Sequence, residues 1–368
     1  MPVIDDPASK HSKQDFALLI ISLLALFVIS ALPLRFPVYV IGASAAIGIC
    51  GLSSRKIGDL GFLFLAIAAA FLVSFTVNYA TSGAMSYEIL LFVSVTGALI
   101  GATLNSMSGR YNPAAILLGS AMAMWLFSAF RYEVPAAEMA TALVFSLLVG
   151  YFAYRIKVIN MSGVLSATLV GVLIILFGNM TWFLILLSFF VVGGIFTKYK
   201  YEFKSSLKIA QATRGYKNVF GNGLCALVMA IGFKFNPVFL LGFLGAVAAA
   251  TSDTLATEIG ETQKKQPFLM TTFERVPPGT SGAVSPLGEA SAVIGSAFIA
   301  SLAILLGMAN SLGAATVLIT TTIGGFVGTQ ADSILGATLE RRKILNNHTV
   351  NLLATIIGAA VSIGVYYI

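Results

Sequence analysis

The sequence predicts an all-α, polytopic integral membrane protein, and three observations predict it. Hydrophobic residues make up 58% of the 368, charged residues only 10%, and the mean hydropathy is +0.92. Soluble domains carry about 25% charged residues, so this chain has too little polar surface for a water-soluble globule. The apolar excess is gathered into long runs, and a spanning helix needs about 20 such residues. Finally, the cations sort between alternate loops, as orientation in a bilayer requires.

In chain order the runs are 16–32, 37–52, 60–79, 88–106, 113–130, 134–154, 163–178, 181–197, 219–235, 237–254, 290–308, 312–335 and 350–367. They predict about 13 transmembrane helices on the length rule. Lys10 and Lys13 before the first run mimic a signal peptide. That run exceeds an ordinary signal core and others follow it, so it reads as a retained helix. Gly178-Asn179 between two runs reads as the turn of a helical hairpin. With the N-terminus in the cytoplasm, every Lys and Arg except Arg35, Arg131 and Lys234 falls on the cytoplasmic side. The net charge of +7 is then a topology signal and calls for no nucleic-acid partner. Cys50 and Cys225 lie inside apolar runs, and His11 and His348 are far apart. No disulfide framework or zinc cluster is expected.

Three longer polar segments, 198–222, 255–289 and 336–349, share the cytoplasmic side. Such a one-sided set suits a membrane enzyme with a cytosolic substrate, and also a transporter gate. The early lysines, Lys200, Lys204 and Lys208, read as a basic patch against anionic headgroups. Arg214, Lys217, Asn218 and Asn222 stand beside Gly221 and Gly223 at a helix entrance. Cations with close backbone approach suit a polyphosphate.

Asp253 closes an apolar run and Glu258 follows it. Five residues turn a helix by about 500°, so the two acids lie about 140° apart, on different faces. A solvated helix end is the plain reading. An acid at full hydrocarbon depth costs about 2.5–3.5 kcal/mol, which argues for a purpose. The neighbouring Thr and Ser hydroxyls would suit an Mg²⁺ site of oxygen ligands. The run Arg275-Val-Pro-Pro-Gly279-Thr280-Ser281-Gly282-Ala-Val-Ser285 precedes a helix and has the makings of an anion nest. It lacks the Walker lysine, and a plain Pro/Gly connection explains it about as well. Glu289 opens the next span, where it would offset the helix dipole. Asp332 ends a run loosened by Gly324, Gly325 and Gly328, glycines that suit close helix packing. Asp253-Thr-Leu and Asp332-Ser-Ile are similar triplets entering one compartment, and could face each other across a metal.

The histidines are poorly placed, so His-activated acyl transfer is not expected. Carboxylates, hydroxyls, glycines and cations are the inventory of phosphoryl or nucleotidyl transfer.

Four runs together, 214–223, 252–260, 276–288 and 332–337, resemble a polytopic membrane family of unknown function 92. That family holds transmembrane protein 19-like proteins and the plant phytyl-phosphate kinases. The resemblance divides the chain into additional N-terminal helices, 1–140, and a core membrane domain with cytoplasmic motif loops, 141–368. It implies an isoprenoid-phosphate kinase, and the plasma membrane of a prokaryote is the expected location. A nucleoside triphosphate, CTP being one candidate, would phosphorylate a phytyl or polyprenyl monophosphate lipid. Asp253 and Asp332 would hold Mg²⁺, with Glu258 and Glu289 in support. Arg214, Lys217, Asn218, Asn222, Arg275 and the loop from Gly279 through Thr280, Ser281 and Gly282 to Ser285 would bind phosphates. The same parts would serve a CTP-dependent lipid cytidylyltransferase. An ion-coupled secondary transporter would use the two aspartates as ion sites.

Overall fold

The computed structural model describes residues 7–30, 36–52, 54–81, 83, 85–107, 112–206, 213–263 and 265–368. Each of the thirteen apolar runs is matched in order by a helix of 14 to 27 residues. Among the described residues seven helices are long and apolar enough to cross a membrane, and four more apolar stretches are shorter. The protein is an integral membrane protein of all-α class. The chain divides into two compact units, 1–172 and 173–368.

The first unit holds α1 (Pro7–Ser30), α2 (Val38–Gly51), α3 (Ser54–Ala80), α4 (Tyr87–Met107), α5 (Pro113–Ala129) and α6 (Ala136–Arg155), and most of α7 (Met161–Phe177). Close packing of α2, α4 and α5 explains its small residues. A Cβ on Gly101 would stand 2.6 Å from Ile47, and one on Gly97 would stand 2.5 Å from Met124. Phe36 stacks on Trp125 with ring centroids 5.0 Å apart.

The second unit continues with α8 (Met180–Lys198), the short α9 (Tyr201–Ser206), α10 (Tyr216–Gly232) and α11 (Phe239–Gly260). A two-stranded antiparallel pair follows, β1 (Phe268–Leu269) against β2 (Ala283–Val284), with Phe268 opposite Val284. Then come α12 (Pro286–Leu305), α13 (Ala314–Leu335), a π-helical turn (Gly336–Glu340) and α14 (Asn347–Tyr366). Side chains cap the helix starts where the backbone would leave N–H groups orphaned. Asn179 accepts from Thr181 and Trp182, Ser285 from Gly288, and Asn346 from Thr349.

Helix α11 packs against α8, α10, α12, α13 and α14 and forms the centre of this unit. Its Leu241, Phe243, Leu244, Ala246, Val247 and Ala248 are fully buried. Without a hydrophobic drive between helices in lipid, close approach needs small residues. A Cβ on Gly358 would lie 2.8 Å from Ala249 Cβ and from the Gly245 carbonyl oxygen, and one on Gly324 would lie 2.6 Å from the Gly358 carbonyl oxygen. Backbones of α11, α13 and α14 therefore touch. We expect Gly358→Val to destabilise the protein by about 1–3 kcal/mol through overpacking. Thermal unfolding in detergent would show it, and an unchanged midpoint would refute the close packing.

Two boundaries differ from the sequence reading, and both matter for the site. Helix α11 continues past the apolar run to Gly260, so Asp253 lies inside the helix instead of at its end. Helix α10 begins at Tyr216, so Asn218 joins Asn222 within the helix.

Candidate functional site

Several helix ends of the second unit meet around one cavity. Ser285 at the start of α12 donates to the Gly260 carbonyl at the end of α11, at 3.5 Å. Gly282 lies against Ala337 of the π turn. The cavity measures about 230 Å³ and is walled by α11, the 278–285 loop, the first turn of α12, the end of α13 and Asn347 of α14.

Its chemistry is acidic. Asp253, Glu261, Glu289, Asp332 and Glu340 all line it, and no Lys or Arg does so among the described residues. Asp253 and Asp332 come from different helices, and each lies within electrostatic reach of Glu340. Asp332 Oδ2 is shielded from solvent and has no hydrogen-bond partner. A buried carboxylate oxygen left unsatisfied is costly unless a ligand completes it. Glu289 is held by Gln330, whose Nε2 donates to Glu289 Oε2 at 2.7 Å. The π turn carries Glu340 to the cavity, and such turns recur at functional sites.

Glu261 lies just beyond the end of α11. Burial, reinforced by the charge of Glu258 and opposed by Lys204, raises its pKa to about 7. Among the described residues no three His, Cys, Asp or Glu side chains converge closely enough to hold a metal alone. Two carboxylates are enough for Mg²⁺, which keeps waters and takes other oxygens from phosphates.

The glycine loop needs its glycines. Gly279 has φ +79° and Gly282 has φ +76°, in the left-handed region that other residues rarely adopt. A Cβ on Gly282 would lie 2.2 Å from the Ala337 backbone nitrogen and 2.5 Å from the Ser333 carbonyl oxygen. The loop is thus pressed onto the helix end that carries Asp332. Within the loop, the Thr280 N–H donates to Pro277 and the Ala283 N–H to Thr280. Gly282→Ala should displace the loop and lower the thermal midpoint more than Ala283→Ser. Equal midpoints for the two variants would refute that role.

The remaining candidates lie elsewhere. Glu258 is 2% exposed and pairs with Lys204 Nζ, and it does not itself line the cavity. Lys204 Nζ also donates to the Phe196 and Thr197 carbonyls, each at 3.0 Å, so it caps the last turn of α8. Thr197 Oγ1 donates to Glu258 Oε1 at 2.7 Å and accepts from Arg214 Nη2 at 3.0 Å. Arg214 is therefore engaged beside Glu258, not at the cavity. At 1% exposure Lys204 is no part of a headgroup-facing patch, which corrects the sequence reading of that residue. Lys208 falls outside the described residues. Lys217 is exposed on α10, Asn222 Nδ2 donates to the Asn218 carbonyl, and Asn351 Nδ2 donates to Asn222 Oδ1. Arg275 donates to the Gln266 carbonyl and pins the hairpin. None of these lines the cavity. The structure unites Asp253, Glu289, Asp332 and the 279–285 loop, and adds Glu261, Gln330 and Glu340. Sequence reasoning missed these three. Glu261 and Glu340 look like ordinary solvated acids beyond a helix end, and Gln330 is a neutral residue overshadowed by Asp332.

Residues 144–359 match the family described as integral membrane protein DUF92. The chain belongs to that family. Every cavity residue of this DUF92 protein falls within the matched stretch. It is 35% identical over 240 residues to an uncharacterized membrane protein, MJ0933, of Methanocaldococcus jannaschii, covering 64% of this chain and 98% of the relative. It is 32% identical over 203 residues to the uncharacterized membrane protein sll0875 of Synechocystis, covering 52% and 77%. It is also 32% identical over 218 residues to protein VTE6, chloroplastic, of Arabidopsis thaliana, covering 56% of this chain and 64% of that one. No solved structure matches the chain.

Proposed function

We propose that this DUF92 protein transfers a phosphoryl group from a nucleoside triphosphate, CTP among the candidates, to an isoprenoid monophosphate at the membrane surface. One observation carries the reading: five carboxylates and no described cation line a cavity at the ends of membrane helices. Such a cavity repels free phosphate, so phosphates enter it only together with divalent cations. Asp253 and Asp332 are the residues to hold Mg²⁺, and the shielded, unpartnered Asp332 Oδ2 fits a cation ligand. Bound Mg²⁺ would neutralise phosphate charge and align the reacting groups. Glu289, fixed by Gln330, and the 279–285 loop shape the rest of the wall. An oxygen of the lipid monophosphate attacks the γ-phosphorus. The bond to the bridging oxygen breaks, the nucleoside diphosphate leaves, and the lipid diphosphate is formed. The isoprenoid class comes from the resemblance of the four motif runs to the phytyl-phosphate kinases, and the apolar helices offer its tail a lipid environment.

The test is turnover of purified protein with Mg²⁺, each nucleoside triphosphate, and phytyl or geranylgeranyl monophosphate, read by product mass. A lipid diphosphate with nucleoside diphosphate release is expected. A CDP-lipid with diphosphate release would make the protein a cytidylyltransferase. No turnover with either Mg²⁺ or Mn²⁺ would overturn the reading and favour ion-coupled transport.

The cavity should also be pH-sensitive. With its pKa raised to about 7, Glu261 is mostly neutral below that pH and negative above it. Cation affinity should therefore rise between pH 6 and 8, by roughly three- to tenfold. Calorimetric Mg²⁺ titration should show this rise, and Glu261→Gln should flatten it. An unaltered slope in the variant would remove Glu261 from the site.

A further inference from the structure

The 266–284 hairpin forms part of the cavity wall through Pro267 and the residues from Pro278 to Val284. Its far end is unusual for a loop outside the membrane helices. Phe273 is 71% exposed, and it holds φ +59°, a conformation that a bulky residue adopts only under constraint. Its N–H donates to the Leu269 carbonyl at 2.8 Å, and its ring stacks on Phe268 with centroids 5.9 Å apart. The fold thus maintains an aromatic pair where water would ordinarily disfavour it. Lys265, Glu274 and Arg275, all exposed, flank the pair and leave it a net positive charge.

Chain register limits how far this pair can lie from the membrane helix that follows. Helix α12 has 20 residues, about 30 Å of helix, which matches the hydrocarbon core. Phe268 pairs with Val284, two residues before Pro286 opens α12. At about 3.3 Å per residue, Val284 lies within about 7 Å of the helix start, with Phe268 across the ladder from it. The headgroup layer on each side is of that thickness, about 5–8 Å. Aromatic rings with adjoining cations are the side chains that favour this layer.

We propose that the hairpin is seated in the headgroup layer of the protein's own membrane, with Phe268 and Phe273 toward the acyl boundary and Lys265 and Arg275 toward lipid phosphates. It then forms a lipid-facing wall of the acidic cavity. This seating depends on the hairpin's geometry and charge, whatever reaction the cavity performs.

The test is a spin label at Phe273→Cys in a Cys50→Ala, Cys225→Ala background of the full chain, reconstituted in nanodiscs with a fraction of anionic lipid. The same label at Lys265→Cys serves as the reference on the phosphate side. Expected is a label at 273 that relaxes several-fold more with oxygen than with a water-soluble nickel complex, and more so than the label at 265. The oxygen preference at 273 should weaken when the anionic lipid is replaced by a zwitterionic one. A label at 273 as accessible to nickel as one in free water would overturn the proposal. So would identical behaviour in both lipid compositions, which would remove the role of the cations.

Discussion

Asp253→Asn and Asp332→Asn should each lower Mg²⁺-dependent turnover by at least about 100-fold, the scale seen when one charge-stabilising group is removed. The same variants carry an independent physical signature. Both aspartates face a cavity that they share with Glu261, Glu289 and Glu340, with no described cation among its walls. The wild-type protein without metal therefore bears like-charge repulsion there. Removing one charge relieves it, so the metal-free variants should melt at the same temperature as wild type or higher. Mg²⁺ should raise the melting temperature of wild type and leave that of each variant nearly unmoved. Functional sites often give up stability in this way. A metal-free Asp253→Asn protein that melts well below wild type would show instead that Asp253 is a structural group. If the proposed reaction were absent while the Mg²⁺-induced shift persisted, the cation site would stand and the kinase reading would fall.

The second large effect is expected on the other face of α11. Lys204 and Glu258 form a buried ion pair, at 1% and 3% side-chain exposure. Breaking such a pair from one side strands a buried charge and costs about 3–5 kcal/mol. Lys204→Met alone should therefore unfold at a much lower temperature. Replacing both partners removes the stranded carboxylate but takes from buried Arg214 its neighbouring charge, so Lys204→Met with Glu258→Met should regain only part of the loss. A catalytic role for Glu258 predicts a different pattern: Glu258→Gln would keep its melting temperature and lose turnover. The comparison of single and double variants separates the two.

The class of the molecule was legible because hydropathy is a summed property. Apolar runs of bilayer length force helices, since every backbone polar group must be satisfied within the membrane. Asp253 and Asp332 were legible for a related reason: an acid inside an apolar run is costly enough to demand an explanation. The 140° separation of Asp253 and Glu258 was legible too, because it follows from helix geometry alone. In the structure Asp253 lines the cavity and Glu258 meets Lys204.

What the residues could not disclose were the partners met across the fold. Arg214, Lys204 and Glu258 are spread over more than fifty positions, and only the packing of α8, α9 and α11 joins them. A lysine read in one dimension is a headgroup cation; in three, Lys204 closes the end of a helix. Glu261 and Glu340 likewise become cavity residues because a helix end and a π turn carry them inward. Composition and periodicity decide which solvent surrounds each segment, since those terms add along the chain. Which charges meet, and which stay unpaired, depends on distances between segments remote in sequence, and those are set only when the helices pack.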